Sequence, residues 1–350
     1  MAEKRKATLV AKATELGFVR LGVARVEPLT EEAKRLRAWL EDGRHADMDW
    51  MARTAEVRCD PSHPGMLPDA QSVVILAATY HRRDLEPVGP SPSRVARYAR
   101  GRDYHNVLRR AGRKLAKVLT VDGDRCRVCV DSAPVFERAW AARAGVGFVG
   151  KNCCLIVPGI GSYVFLLALV TTAVLPPDEP IRAGCGRCTA CLDACPTAAL
   201  VAAGELDARK CVAYHTIENR GSIPEPLREG MGAWLFGCDV CQEVCPYNAT
   251  SNIAEGLAEP YAPHPRHASI DAPALLKMDE PAFEVWASAS PLRRSGRKGL
   301  ARNAAIVLGN TGDKRYLPVL QSAAVSHDEP VVREAAAWAV SRIEAGWGNS

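Results

Sequence analysis

The chain has 350 residues, of which 47% are hydrophobic and 24% are charged, and its formal net charge is +5. These proportions describe a globular protein and exclude an intrinsically disordered chain. The apolar run 162–177 holds about thirteen apolar or small residues before its prolines, fewer than the ~20 that a membrane-spanning helix needs.

Residues 1–178 predict an α/β domain, because helix and strand patterns alternate and favour a sheet flanked by helices. The predicted helices lie near 4–16, 30–42, 103–120 and 134–144, and the predicted strands at 72–80, 126–131 and 163–174. Asp131 ends one of these strands just before a helix, where a carboxylate can face a crevice of the sheet. Capping of that helix by Asp131 or Ser132 is an equally good alternative.

Two regions of different composition follow. A cysteine-rich region, 179–255, is predicted to be a ferredoxin-like domain, and residues 256–350 to be a linker and a short, HEAT-like helical repeat. One run in the last region has no acidic residue and predicts a docking surface for a polyanionic partner, although a solvated helix face is the alternative. Its basic residues are Arg293, Arg294, Arg297, Lys298 and Arg302.

The cysteine-rich region contains two copies of the ferredoxin pattern C-x2-C-x2-C-x3-C-P, whose fourth cysteine ligates the other cluster. The first copy is complete, but the second has Leu235 in its first position. Leucine cannot ligate iron, so we expect Cys211, which lies between the copies, to replace it. The predicted ligands of the two 4Fe-4S clusters are Cys185, Cys188, Cys191 and Cys245 for one, and Cys195, Cys211, Cys238 and Cys241 for the other.

Structural zinc is the alternative to iron, because it also uses paired C-x2-C spacings. Zinc gives no reason for the Cys-Pro endings or for two crossed sets. The remaining cysteines are predicted to be packing residues. Cys126 and Cys129 lie three apart on a strand and therefore point to opposite faces, and the others are Cys59, Cys153 and Cys154.

Several stretches, in the order found here, resemble the epoxyqueuosine reductase family. They are YARGRDYH, DSAPVFERAWAARAGVGFVGKN, GSYVFL and the two cysteine runs. The resemblance covers almost the whole chain. It implies an oxidoreductase that reduces epoxyqueuosine to queuosine at the wobble position of the tRNA anticodon, the last step of queuosine biosynthesis. It also implies a cobalamin-binding first domain that receives electrons through the two 4Fe-4S clusters.

The resemblance further implies roles for individual residues. Asp131 matches the family's acid, and a desolvated carboxyl with a raised pKa would serve to protonate the epoxide oxygen. DYHNVL begins like the D-x-H-x-x-G motif of proteins that ligate cobalamin through histidine, but Leu108 replaces the glycine. This difference favours cobalamin without a histidine ligand. The residues expected at the cofactor are Arg58, Tyr98, Tyr104, His105, Asp131, Lys151, Asn152 and Ser162.

The expected partners are a tRNA that carries epoxyqueuosine in its anticodon and an external electron donor of the flavodoxin or ferredoxin type. We expect the basic run of the C-terminal region to bind the backbone of that tRNA. We expect a cytoplasmic monomer without membrane contact, because the N-terminus lacks a signal pattern and the cysteines suit a reducing compartment. One alternative is a cobalamin-dependent reductase of the reductive dehalogenase kind, which would be expected to carry a twin-arginine signal. Another is a ferredoxin-like electron carrier with an RNA-binding module, which would bind no corrin.

Overall fold

The structure is a computed structural model that describes residues 1–82, 93–250, 258–267 and 270–346. The helices of the first region are α1 (Ala2–Glu15), α2 (Thr30–Glu41), α3 (Asp49–Arg53), α4 (Ala55–Cys59), α5 (Tyr104–Leu119) and α6 (Glu137–Arg143). Its strands are β1 (Arg20–Arg25), β2 (Ser72–Thr79), β3 (Arg94–Val95), β4 (Cys126–Cys129), β5 (Phe148–Val149), β6 (Leu155–Ile156) and β7 (Val164–Thr171).

The cysteine-rich region is built from short elements, and the C-terminal region is helical. The former contains β8 (Leu200–Ala202), β9 (Glu205–Leu206), β10 (Trp234–Phe236), α7 (Ala190–Asp193), α8 (Val212–Ile217), α9 (Glu225–Arg228), α10 (Val240–Glu243) and α11 (Pro246–Ala249). The latter contains α12 (Ala272–Lys277), α13 (Glu280–Trp286), α14 (Gly296–Asn310), α15 (Leu317–Ser326) and α16 (Pro330–Glu344). Within the described ranges, no helix is long and apolar enough to cross a membrane.

A four-stranded antiparallel sheet in the order β1-β2-β7-β4 forms the centre of the first region. β2 is buried along its whole length because both faces of the sheet are covered. Val74 and Leu76 face a core shared with α1 and α5, whereas Val73 and Ile75 face a second core shared with α6. This alternation is the one that a strand imposes on its side chains. The sheet therefore holds α5 and α6 on opposite faces.

α5 packs very closely on the sheet. A β-carbon added to Gly112 would lie 2.5 Å from Cγ1 of Val128 in β4, so only glycine fits at this contact. The helix begins with a cap, because the Asp103 carboxylate accepts a hydrogen bond from the backbone N–H of His105 at 2.9 Å. The glycine contact and the cap together fix Tyr104 and His105 beside the end of β4.

A third core joins the cysteine-rich region to the C-terminal helices. It includes Leu235 and Phe236 of β10 and most of the buried side chains of α14, which packs between α12 and α16. It also includes Val95 of β3, because β3 pairs in parallel with β10. All three regions of the sequence therefore contribute to one continuous interior.

The predicted helices and strands of the first region are present, although their ends differ by a few residues. The sequence analysis missed β1, a six-residue strand with an arginine at each end and a buried centre. Helices flank a sheet as predicted, but the pairs within the four-stranded sheet are all antiparallel. A crevice at the carboxyl ends of the strands is a feature of parallel sheets, so that reason for expecting Asp131 in a crevice does not apply. The turn after β4 determines the position of Asp131.

Candidate active site and cluster ligands

Asp131 lies in a turn just after β4, with its backbone in the left-handed region at φ 46°. This conformation is uncommon for residues other than glycine. The side chain is 63% exposed, so the carboxylate is accessible. Asp131 does not cap α6, since the N-cap of that helix is Phe136 and has no side-chain hydrogen bond. The helix-cap alternative is therefore excluded for Asp131 and Ser132.

Two side chains from the start of α5 contact the same oxygen of Asp131. The Tyr104 hydroxyl donates to Oδ2 at 2.9 Å, and Nε2 of His105 lies 3.1 Å from that atom. The other ring nitrogen of His105 lies 2.7 Å from Oδ1 of Asp103. Oδ1 of Asp131 has no hydrogen bond to any residue in the described ranges, so it is the oxygen available to a substrate.

The carboxylate and the imidazole shift each other's pKa. Desolvation by the surrounding protein would raise the pKa of Asp131, but hydrogen bonds from His105 and Tyr104 outweigh it and lower the pKa. Desolvation would likewise lower the pKa of His105, but its hydrogen bonds to Asp103 and Asp131 raise it to about 9. At neutral pH the pair is an imidazolium and a carboxylate, so the expected raised pKa of Asp131 is wrong. The transferable proton is on the histidine.

Groups from three other parts of the chain surround this carboxylate. Arg58 of α4 is buried and near enough to interact electrostatically with Asp131. Tyr98 contacts the Tyr104 ring edge-on, with ring centroids 6.1 Å apart, and also lies near the carboxylate. Arg294, from the C-terminal region, is a further electrostatic neighbour of Asp131. Arg58, Tyr98, Tyr104 and His105 were predicted at this site, and the structure brings all four together around Asp131.

The sequence analysis missed Asp103, Glu137 and the position of Arg294 at this site. Asp103 precedes Tyr104 in a D-Y-H run, and this run is the sequence feature that could have indicated Asp103 as a site residue. The same run is also typical of a helix cap. One oxygen of Glu137 is buried without a hydrogen-bond partner. Burial raises the pKa of this carboxyl to about 7. Nothing in the sequence distinguishes Glu137 from an ordinary acidic residue in the first turn of a helix.

The structure brings Cys245 from the second cysteine run to the first one. Cys245 lies within electrostatic range of Cys185 and Cys188, and Cys191 is close to the same two residues. All four line one cavity, and Cys185 and Cys245 share an apolar environment. The Cys185 sulfur also accepts a hydrogen bond from the backbone N–H of Lys151 at 3.5 Å. The four cysteines of the first predicted ligand set therefore lie at one cavity.

The second ligand set is assembled in the same crossed way. Cys238 lies within electrostatic range of Cys211 and Cys195, and Cys241 of Cys238 and Cys211. The Cys195 sulfur accepts a hydrogen bond from the backbone N–H of Ala199 at 3.3 Å. Cys211, which the pattern alone did not include, thus lies near Cys195, Cys238 and Cys241, and its replacement of Leu235 as a ligand stays a prediction. Leu235 itself is fully buried in the third core.

Lys151, Asn152 and Ser162 hold the cluster loops. Nζ of Lys151 donates to the carbonyls of Gly186 and Cys188, both at 2.9 Å. Nδ2 of Asn152 donates to the Cys241 carbonyl at 3.2 Å. Ser162 is buried, and its hydroxyl accepts hydrogen bonds from two side chains of the second cysteine run, those of Gln242 and Asn248. The hydrogen bonds that the Lys151 and Ser162 side chains form, and the one that Nδ2 of Asn152 donates, are therefore with the two cysteine runs, whereas Oδ1 of Asn152 accepts from the backbone N–H of Cys154 at 3.2 Å.

The five other cysteines occupy the interior or its edge, as predicted for packing residues. Cys126 packs against the core beneath α5, and Cys129 lies in the core on the other face of the sheet. Cys59 and Cys153 are partly buried. Cys154 is a hydrogen-bond neighbour of the cluster ligand Cys241, so it packs directly behind the second set.

The basic run of the C-terminal region is partly interior. Arg302 is 1% exposed, and its guanidinium donates to main-chain carbonyls between α8 and β10. Arg297 is 8% exposed and forms ion pairs with Glu280 and Asp328. The predicted tRNA contact is wrong for Arg297 and Arg302, because the protein itself surrounds both guanidinium groups.

The other members of the basic run remain accessible. Arg293 forms an exposed ion pair with Glu284, and Arg294 one with Glu218. Such exposed pairs contribute little energy and can exchange a carboxylate for a phosphate. Lys298 is partly exposed and has no ion pair with a described residue. The accessible part of the predicted tRNA surface is therefore limited to these three residues.

Tyr98 connects the two sites, because it lies beside Asp131 and also packs against Phe236, two residues before the cluster ligand Cys238. The structure places two predicted sets of 4Fe-4S ligands near the accessible acid–base pair of Asp131 and His105. An electron carrier does not need such a pair. A carrier requires the clusters alone, whereas a group that holds a proton serves a substrate. The fold and the site thus define an iron–sulfur oxidoreductase.

Family models match three parts of the chain: a 4Fe-4S double cluster binding domain over 184–248, epoxyqueuosine reductase QueG over 58–132, and HEAT repeats over 290–347. The chain is 41% identical to an epoxyqueuosine reductase of Gloeobacter violaceus, over 88% of this chain and 97% of that one.

Two solved structures of epoxyqueuosine reductases are similar to it, each at 33% identity over 97% of this chain and 90% of theirs. One, with a TM-score of 0.87, contains an epoxyqueuosine-modified stem loop of tyrosine tRNA. The other, from Bacillus subtilis with a TM-score of 0.86, has an aspartate catalytic loop swung out of the active site.

The chain belongs to the epoxyqueuosine reductase family. It is an oxidoreductase that reduces epoxyqueuosine to queuosine in tRNA, and it contains a binding domain for two 4Fe-4S clusters. The function and the 4Fe-4S clusters predicted from the resemblance are confirmed, and the zinc, dehalogenase and electron-carrier alternatives are set aside.

Proposed function

We propose that Asp131 protonates the epoxide oxygen and that His105 holds the proton that Asp131 transfers. The observation that carries this proposal is the arrangement at one carboxylate: Tyr104 and His105 both contact Oδ2, and Oδ1 is left accessible. Transfer of the Nε2 proton of His105 to Oδ2 makes Asp131 a neutral carboxyl, and rotation of this exposed side chain presents the O–H to the epoxide oxygen. Asp103 accepts from the other ring nitrogen and so stabilises the His105 imidazolium before the transfer.

The reaction explains why a proton source is needed. Reduction of an epoxide to an alkene and water consumes two electrons and two protons. Cobalamin, which we propose the first domain binds, would supply the reducing chemistry at the epoxide carbon. The residues of this chain bring a proton to the oxygen, which must be within hydrogen-bonding distance of the donor. The left-handed backbone at Asp131 marks a tight turn, and the movable aspartate loop of the Bacillus subtilis relative supports a catalytic role for it.

The residues around Asp131 fit a large polar cofactor. Arg58 is buried, and its two terminal nitrogens form no hydrogen bond with the described part of the chain, although Nε donates to Thr54 at 2.9 Å. The guanidinium lies over the Trp50 ring, 5.1 Å from its centroid, and its terminal nitrogens could donate to the amide or phosphate oxygens of cobalamin. We therefore propose that Arg58, Tyr98, Tyr104, His105 and Asp131 line the cobalamin site. Lys151, Asn152 and Ser162 would support it indirectly, through the cluster loops.

The two ligand sets differ in how they are exposed. The first set contains Cys188, which is exposed, and opens into a surface cavity. The second set lies next to Tyr98 and so to the active site. We propose that an external donor of the flavodoxin or ferredoxin type approaches the first set, because electron transfer requires close contact and this set is accessible.

We propose that the tRNA substrate reaches the site past Arg293, Arg294 and Lys298. Arg294 carries this part of the proposal, because it is an electrostatic neighbour of Asp131 and comes from the helical region. A tRNA substrate supports the cytoplasm as its place of action.

Substitution of Asp131 by asparagine tests the proton donor. Asparagine preserves the shape of the side chain but has no transferable proton, so single-turnover reduction of epoxyqueuosine-containing tRNA by chemically reduced holoenzyme should slow by roughly 10²- to 10⁴-fold. Absorption of the cobalamin and the clusters should be unchanged. Ser132→Ala, in the same turn, is the control and should react at close to the parent rate. A parent-like rate for Asp131→Asn would remove Asp131 from the chemistry.

A further inference from the structure

α5 has one apolar face and one basic face. Its apolar face, which includes Leu108, Gly112 and Leu115, is buried on the sheet. The opposite face carries four exposed basic residues at helical positions i, i+3, i+4 and i+7, which place them in a single stripe. These residues, called here the α5 basic face, are Arg110, Arg113, Lys114 and Lys117.

The charge of the α5 basic face is not neutralised by its surroundings. α5 contains no acidic residue, and none of the four basic residues forms an ion pair within the described ranges. Basic residues elsewhere in the same domain do form such pairs: on α1, Arg5 pairs with Asp122 and Asp124, and Lys6 pairs with Asp178. A stripe of uncompensated positive charge suits a polyanionic partner.

The helix that carries the α5 basic face begins at the active site. The first two residues of α5 are Tyr104 and His105, which contact Asp131. One turn further, Nη2 of Arg109 donates to the hydroxyl of Ser132 at 2.9 Å, so the helix is attached to the Asp131 turn a second time. A 16-residue helix is ~24 Å long. The face therefore leads from the entrance of the site along the surface of the first domain.

We propose that the α5 basic face binds the phosphate backbone of the anticodon stem loop while the wobble nucleoside reaches Asp131. Neighbouring side chains on the stripe are ~5–6 Å apart at their β-carbons, and their long stems can adjust to successive phosphates. These contacts position the RNA without reading its sequence. The tRNA would then contact α5 on one side of the entrance and Arg294 on the other. This inference rests on the proposed position of the substrate at Asp131.

The test compares two triple variants of the full-length holoenzyme that lose the same charge. Arg110→Gln, Arg113→Gln and Lys117→Gln are combined on α5. Lys34→Gln, Arg35→Gln and Arg37→Gln are combined on α2, which starts beside Leu29 in the core on the opposite face of the sheet and serves as the control. The dissociation constant of a tRNA stem loop is measured between 50 and 200 mM salt by fluorescence anisotropy.

The α5 variant should bind more weakly at low salt, and its binding should depend less on salt. Three lost phosphate contacts at about 0.9 each lower the slope of log K against log salt by about 2.7, so the affinity advantage of the parent should shrink about fortyfold across this range. The α2 variant should keep the parent slope. A parent-like slope for the α5 variant, or an equal loss in both variants, would overturn the proposal.

Two further measurements separate this proposal from that for Asp131. Thermal unfolding of the α5 variant should match the parent, because the substituted side chains are exposed. At saturating stem loop, its single-turnover rate should also match the parent, because the chemistry is unchanged. A slow rate at saturation would overturn a purely docking role, whereas failure of the Asp131→Asn prediction would leave the salt dependence of binding unaffected.

Discussion

Replacement of Arg302 by methionine should destabilise the protein strongly, although the sequence places this residue in a basic surface run. In the structure its guanidinium donates to the carbonyls of His215 at 2.6 Å, Asn219 at 2.9 Å and Gly221 at 2.5 Å. It also contacts the side chain of Asn303, which itself donates to main-chain carbonyls of the same region. Arg302 thus attaches α14 to the segment that follows the cluster ligand Cys211.

The magnitude follows from the three carbonyls that methionine would leave without a donor. A buried acceptor that loses its partner costs about 1–3 kcal/mol. Removal of the guanidinium also removes its own desolvation penalty, which is visible in a pKa lowered by burial to about 10. The net loss should be about 3–5 kcal/mol, as for other broken buried charge networks. Such a loss is a large fraction of the 5–15 kcal/mol that stabilises a typical domain.

Urea unfolding followed by circular dichroism measures this loss, and iron content after purification shows whether the segment near Cys211 still supports its cluster. Lys298→Met is the matched control, because Lys298 lies one turn earlier on α14 and is partly exposed. Its unfolding midpoint should stay near that of the parent. A parent-like midpoint for Arg302→Met together with weaker tRNA binding would refute the reasoning and restore Arg302 to the tRNA surface.

Two other predictions concern the cofactors and pH. Cys211→Ala should lose about half of the bound iron, measured by colorimetric iron analysis, because Cys211 completes the second ligand set; a full iron content would contradict the crossed assignment. The folded-state pKa of His105, about 9, lies above its ordinary 6.5, so its stabilising effect is complete below about pH 6.5 and is lost as the pH rises through about 9. The single-turnover rate of the parent should therefore fall as the pH rises through about 9. In His105→Gln the rate should be lower and this fall absent, and an unchanged profile would exclude His105 as the proton source.

The sequence predicted best what depends on spacing along the chain. The crossed cysteine sets follow from short, fixed intervals, and even the replacement of the Leu235 position by Cys211 could be inferred by elimination. The buried residues of α5 and β2 follow from the regular spacing of apolar residues in the sequence. Burial of a charged residue produces no such pattern. Arg302 belongs to a basic run that begins with two exposed arginines, but its own guanidinium is surrounded by carbonyls, and only the packing of α14 against the cysteine-rich region reveals this burial.

The active site shows the same limit. The family resemblance named Asp131, Tyr104 and His105, but it could not give the direction of their pKa shifts. Those directions depend on a hydrogen bond between neighbouring side chains, here from His105 to Asp131, and this bond reversed the expected shift. Lys151 illustrates a related difficulty, because a motif locates a residue along the chain but not the partner that its side chain will contact.

The crossing of the cysteine runs constrains how the enzyme can be made. The first ligand set includes Cys245, and the second includes Cys238 and Cys241, so a nascent chain that has not passed Cys238 contains neither complete set. Iron delivered to such a chain would meet three ligands at most in the first set and two in the second. Maturation must therefore wait until nearly the whole cysteine-rich region has left the ribosome. A protein truncated between the two runs would keep most of its cysteines and yet contain no complete cluster site.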